Sequence, residues 1–117
     1  MTENQYTSKL LARTRALLPG CHAIKHADYA TGGVPDFTVS WQGETVWCEA
    51  KIWPKPLTAI QRRTLEHLDM ATNGKTYVVY YTPFKTGVQV KVFNCKGGFL
   101  ASGNYDTLAR VLKARFS

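Results

Sequence analysis

Asp36 and Glu49 are the residues whose types and spacing most suggest chemistry, with Lys51 two positions beyond the second. The chain of 117 residues carries eight acids against fifteen lysines and arginines, so two carboxylates on one short segment stand out. Between them, Asp36 to Trp41 and Glu44 to Trp53 alternate as strands about Gln42-Gly43. A two-residue turn at Gln42-Gly43 sets Trp41 opposite Glu44, Val39 opposite Val46, Phe37 opposite Cys48 and Asp36 opposite Glu49. Carboxylates paired in this way would have Cβ atoms about 5 Å apart, where like charges destabilise a sheet. Such a pair persists if one carboxyl keeps a proton, if a cation neutralises both, or if Lys51 pairs with Glu49 and water solvates the rest. Paired oxygens with water suit a hard divalent ion such as Mg²⁺, whereas an ordinary ion pair on a solvated face is the plainer alternative.

The elements that must position this hairpin are legible around it. Thr2 and Gln5 form a capping box, opening a helix whose buried stripe is Tyr6, Leu10, Leu11, Leu17 and Leu18. Pro19-Gly20 ends it. Cys21 to His26 is a short strand and Ala27 to Gly33 a loop. Phe37, Val39, Val46, Cys48, Ala50 and Ile52 form the core face of the hairpin, with Asp36, Thr38, Ser40, Thr45, Trp47, Glu49 and Lys51 on the other. A second helix is expected over 58–73, with Ile60, Thr64, Leu68 and Ala71 inward and Gly74 as its stop. Thr76 to Thr82 reads as a buried strand, Val88 to Asn94 as its partner, and Tyr105 to Phe116 as a last helix. The order α-β-β-β-α-β-β-α predicts an α/β domain on a mixed sheet.

Length suits a single domain over residues 1–117. No apolar run is long enough to span a bilayer, and the N-terminal residues lack the apolar stretch of a signal peptide. Three widely spaced cysteines, Cys21, Cys48 and Cys95, argue against a disulfide framework or zinc site and for a reducing, cytoplasmic setting. A formal net charge of +7 favours a polyanionic partner, nucleic acid being the commonest, although many basic domains bind nothing in particular.

Pro35-Asp36 followed by Glu49-Ala50-Lys51 resembles the motif of the PD-(D/E)xK nucleases. With Gly32-Gly33-Val34 before it and Gln61 at the head of the next helix, the string is similar to the VRR-NUC branch, which includes small single-domain phage proteins. Archaeal Holliday-junction resolvases are similar too. The resemblance implies a restriction-endonuclease-like core, α-β-β-β-α-β, to which an extra strand and a C-terminal helix are added. It also implies that Asp36, Glu49 and the carbonyl of Ala50 hold Mg²⁺ or Mn²⁺ while Lys51 attends the attacking water.

The satellite residues each have two readings. Gln61 stands beside the active site in the resemblance, yet Thr58 and Gln61 also form a capping box. Glu3 sits where the superfamily often carries an acid completing the metal site, and equally where an acid favours a helix N-terminus. Lys25 resembles a basic residue near the scissile phosphate. Lys55, Arg62 and Arg63 suit phosphate contacts, whereas Lys9 and Arg13 fit a solvated helix face equally well. Trp47 and Trp53 suit base stacking, a dimer seal or packing beneath the helix. His22, His26 and Asp28 also precede the motif, and the two histidines form no compact ligand pattern. The expectation is a metal-dependent endodeoxyribonuclease of a bacterial or phage-infected cell, selective for branched DNA and homodimeric because symmetric cutting needs two sites. A nicking or restriction-type enzyme and a catalytically silent DNA-binding module are the alternatives, and a protein in which the hairpin charges are merely structural is a third.

Overall fold

The computed structural model describes residues 1–26 and 33–116. In chain order its elements are α1 (Glu3–Leu17), β1 (His22–Lys25), β2 (Phe37–Trp41), β3 (Glu44–Ile52), α2 (Ala59–Ala71), β4 (Thr76–Phe84), β5 (Gly87–Asn94), β6 (Phe99–Gly103) and α3 (Thr107–Phe116). The strands make one sheet in sequential order, β1 to β6. Neighbours are antiparallel except β3 and β4, which run parallel because α2 carries the chain back between them.

The hairpin has the expected register, with Phe37 paired to Cys48, Val39 to Val46 and Trp41 to Glu44. Its turn is left-handed at both central positions, φ 55° at Gln42 and 76° at Gly43, which matches the twist of the flanking strands. A one-residue slip would expose Phe37, Val39, Val46 and Cys48, all of which are buried. Both expected capping boxes are present, Thr2 with Gln5 on α1 and Thr58 with Gln61 on α2.

The sheet is covered on both faces. Along β4, Tyr77, Val79 and Tyr81 enter a large core with Leu10 and Leu11 of α1 and Leu108 and Leu112 of α3. Val78 and Tyr80 point the other way, into a smaller core with Leu65 of α2 and Cys95. The Tyr81 hydroxyl, buried under α1, shares a hydrogen bond with Thr7 Oγ1 at 2.9 Å.

Two expectations fail here. A sixth strand, β6, was not anticipated; it is a short edge strand with Phe99 and Leu100 exposed, so it lacks a buried face's alternation. Asn94 holds the turn leading to it, its side-chain oxygen accepting from the N–H groups of Lys96 and Gly98. The inward face of α2 also differs. Ile60 is 56% exposed and Ala71 is exposed, while Leu65 is buried and Gln61 and Leu68 are half-buried. Apolar periodicity placed Ile60 inward, but the helix turns Gln61 to the sheet instead.

Candidate active site

Asp36 sits at the open end of the hairpin, just ahead of β2, and is tied down on both sides. Its carbonyl accepts from the His26 N–H at 2.8 Å, and its Oδ2 accepts from the Ala50 N–H at 2.7 Å. The second bond carries the carboxylate across the hairpin to the strand that bears Glu49.

Glu49 is 1% exposed, an unusual place for a carboxylate. The amide nitrogen of Gln61 donates to its Oε1 at 3.3 Å. Its Oε2 is enclosed and receives no hydrogen bond from a donor among the described residues. Burial first, then the hydrogen-bonding and charged Asp36 carboxylate, push the Glu49 carboxyl up to about 9; Lys51 opposes this and Glu3 adds to it. Two carboxyl groups thus meet with one donor each, and Glu49 Oε2 is left without one among the described residues. A shared proton or a cation is what completes them.

Gln61 makes two contacts at once. Its side-chain oxygen accepts from the Thr58 N–H at 3.0 Å, closing the capping box, while its NH₂ group reaches Glu49. One amide thus caps the start of α2 and hydrogen-bonds the acid.

Lys51 follows on the same side of β3, and is only 5% exposed. Glu3, in the first turn of α1, has its carboxyl raised by burial and then by Asp36, with Lys51 and Lys55 opposing. The structure therefore brings Glu3 to the Asp36 end of the site. Lys25 is anchored there through Ser8 Oγ at 2.9 Å. A cleft of about 270 Å³ lined by Glu3, Asn4, Thr7, Lys25, His26 and Asp36 opens beside the acids. The first turns of α1 and α2 both meet the site, so their partial positive charge favours anions near it.

The remaining expected residues divide. Lys55 lies within electrostatic reach of Glu3. Arg62 and Arg63 are exposed on α2, and Arg62 lines a neighbouring cleft rather than the acid pair. Arg13 is taken by Asp106. Trp47 stacks on His26, centroids 5.8 Å apart, and His26 Nε2 also bonds Thr38 Oγ1. Asp28 and Gly32 lie outside the described residues. Asn4, Thr7 and Ser8 border the site without having been anticipated; ordinary polar types on a helix gave no signal. Gly33 has a steric reason for being glycine, since a Cβ there would meet Ile60 Cγ2 at 2.7 Å and Thr64 Oγ1 at 2.9 Å.

Among the described residues, no three of histidine, cysteine, aspartate and glutamate gather into a metal cage. Magnesium does not require one, because it keeps several waters and is commonly bound by one or two carboxylates plus substrate phosphates. Asp36 and Glu49, with an orphaned oxygen on the second, fit that pattern and not a zinc site. No family model and no curated protein matches the chain. Among solved structures, Hjc, a Holliday junction resolvase from the archaeal hyperthermophile Archaeoglobus fulgidus, is similar with a TM-score of 0.65 and 17% identity. The match covers 92% of this chain and 98% of that one.

The fold is restriction-endonuclease-like.

At that identity the restriction-endonuclease-like likeness lies in the backbone path, and it meets the expected α/β class with its mixed sheet. No helix among the described residues is long and apolar enough to cross a membrane.

Proposed function

We propose that residues 1–117 form one nuclease domain of the PD-(D/E)xK type, close to the VRR-NUC branch, that hydrolyses DNA phosphodiester bonds with a divalent cation. The observation that carries this reading is the pairing of half-buried Asp36 with buried Glu49, whose Oε2 finds no donor among the described residues, set beside the buried Lys51 on a restriction-endonuclease-like fold. Asp36, Glu49 and the Ala50 carbonyl would hold Mg²⁺ or Mn²⁺, with Glu3 an additional acid at the Asp36 end. That ion would supply Lewis-acid polarisation of the phosphate and neutralise charge on the leaving oxygen.

The chain's own groups do the rest. Lys51 orients the attacking water and eases loss of its proton. Gln61 fixes the Glu49 carboxylate. Lys25, Lys55, Arg62 and Arg63 contact flanking phosphates and align the strand. One site cuts one strand, so paired cuts in branched DNA call for a homodimer. The likeness to a resolvase supports branched DNA as the substrate class.

The test is a gel assay of linear, nicked, flapped and four-way DNA with Mg²⁺, Mn²⁺ or EDTA, comparing wild type with Asp36→Asn. Cleavage that needs metal and Asp36, strongest on branched forms, is the expected result. Salt-sensitive binding without cutting of any form would reassign the chain as a silent DNA-binding module.

A further inference from the structure

We infer that a second cleft, next to the active site on the α2 face, receives one unstacked nucleobase of the DNA being cut; this rests on the nuclease reading above. The cleft measures about 200 Å³ and is lined by Trp53, Leu57, Arg62, Tyr80, Phe93 and Lys96, among others. Its place relative to the acids is set by the sheet. Tyr80 is the residue paired with Lys51 across the parallel strands. Trp53 lies two residues beyond Lys51, about 7 Å along the chain. Trp53 follows the end of β3 in a turn; its N–H bonds the Tyr81 carbonyl at 2.9 Å and its ring rests on Tyr80, which puts it on the side of Glu49 and Lys51.

The aromatic rings are braced. Trp53, 44% exposed, meets Tyr80 edge-on at 5.2 Å, and Tyr80 meets Phe93 edge-on at 5.7 Å. Lys91 Nζ stands 4.7 Å over the Trp53 ring. Arg62 and Lys96 line the cleft, and no carboxylate does so among the described residues. Flat apolar walls bordered by cations complement a heterocyclic base carried between phosphates, and a ring held at fixed angle replaces the stacking that an unpaired base has lost. A base already displaced at a branch, flap or nick enters without the cost of unstacking, which would favour such DNA over intact duplex.

The test is binding of the full chain, in EDTA, to a labelled flap oligonucleotide in which one nucleotide at a time near the cut is made abasic. At one position within two nucleotides of the cut, loss of the base should weaken wild-type binding about tenfold. Trp53→Ala should lose that sensitivity, Trp53→Phe should keep it, and Phe84→Ala, at an exposed aromatic elsewhere, should not alter it. Equal sensitivity in wild type and Trp53→Ala, or none at any position, overturns the base pocket while metal-dependent cleavage leaves the nuclease reading standing. A wild type that neither binds nor cuts DNA removes both. If Trp53→Ala instead changes the size of the particle in solution and base sensitivity is untouched, the face belongs to a second copy of the chain, and the inference is wrong.

Discussion

Beneath α1 and α3 the buried side chains of the sheet include Phe37, Val39, Val46, Cys48, Tyr77, Val79, Tyr81, Val90 and Val92, and the Tyr81 hydroxyl there is paired with Thr7. On the α2 side, β3 buries Glu49 and Lys51, and the accompanying core shrinks to Leu65, Val78 and Cys95 with partly buried neighbours. Burying charges opposes folding unless they are fully paired, and Glu49 Oε2 is not. The large core therefore carries the stability against which the charged face is maintained. Substitutions on the two faces should accordingly fail in different ways.

The largest separation is expected from the acids. Asp36→Asn or Glu49→Gln should lower metal-dependent cleavage by more than about a thousandfold, or about 4 kcal/mol of barrier. Thermal unfolding of either variant without metal should show stability equal to wild type or higher, because each removes repulsion between the carboxyls. Cleavage within about tenfold of wild type would remove the metal-site assignment. On the opposite face, Leu10→Ala or Leu112→Ala empties a fully buried position and should cost about 2–5 kcal/mol in a denaturant titration. Any loss of activity in these two should track the folded fraction.

The same contrast explains what could be inferred before folding was considered. The hairpin register was legible because its apolar alternation and its Gln42-Gly43 turn specify it independently, and Asp36, Glu49 and Lys51 came with it. Glu3 was harder: its proximity to Asp36 depends on how α1 docks, which no local pattern encodes. The inward face of α2 was misjudged because Gln61 occupies a position that burial statistics assign to an apolar residue. Ile60 was left outside, where it closes on Gly33. β6 escaped notice because an exposed edge strand need not alternate. Local rules thus failed at the site's own supports and at the sheet's edge, and held where packing alone decides.

A smaller effect should appear in the pH dependence of the charged face. Glu49 has a folded-state value raised from the usual 4.5 to about 9, so its neutral form is favoured by folding. Its contribution to stability is present below about pH 4.5 and lost as pH rises through about 9. The metal-free wild type should therefore lose stability over that window relative to Glu49→Gln, since the difference between the two isolates this group from Glu3. Mg²⁺ or Mn²⁺ should reverse the loss, by about 2.7 kcal/mol at a hundredfold excess over Kd, and by less as protons compete at lower pH. Monovalent salt at matched ionic strength should not reproduce this. Parallel melting curves for wild type and Glu49→Gln, with no divalent-specific shift, would show that the acids are not a metal pair.

The smallest effect tests the residue shared by helix and site. Gln61→Ala removes a cap and should cost about 1 kcal/mol of stability, together with an activity loss that stability alone does not explain. Gln61→Glu separates the two functions. A glutamate side chain still accepts from the Thr58 N–H, so the capping box survives. It no longer offers an N–H to Glu49 Oε1, and when ionised it sets a like charge against that acid. The cap should therefore remain in Gln61→Glu, while cleavage falls at least as far as in Gln61→Ala. Raising Mg²⁺ should recover part of the loss if the added carboxylate acts by disturbing Glu49, because tighter occupancy of the pair offsets repulsion between the acids. Normal turnover in both variants, with stability lost only in Gln61→Ala, would reduce Gln61 to a helix cap and leave Glu49 positioned by Asp36 and the strand alone.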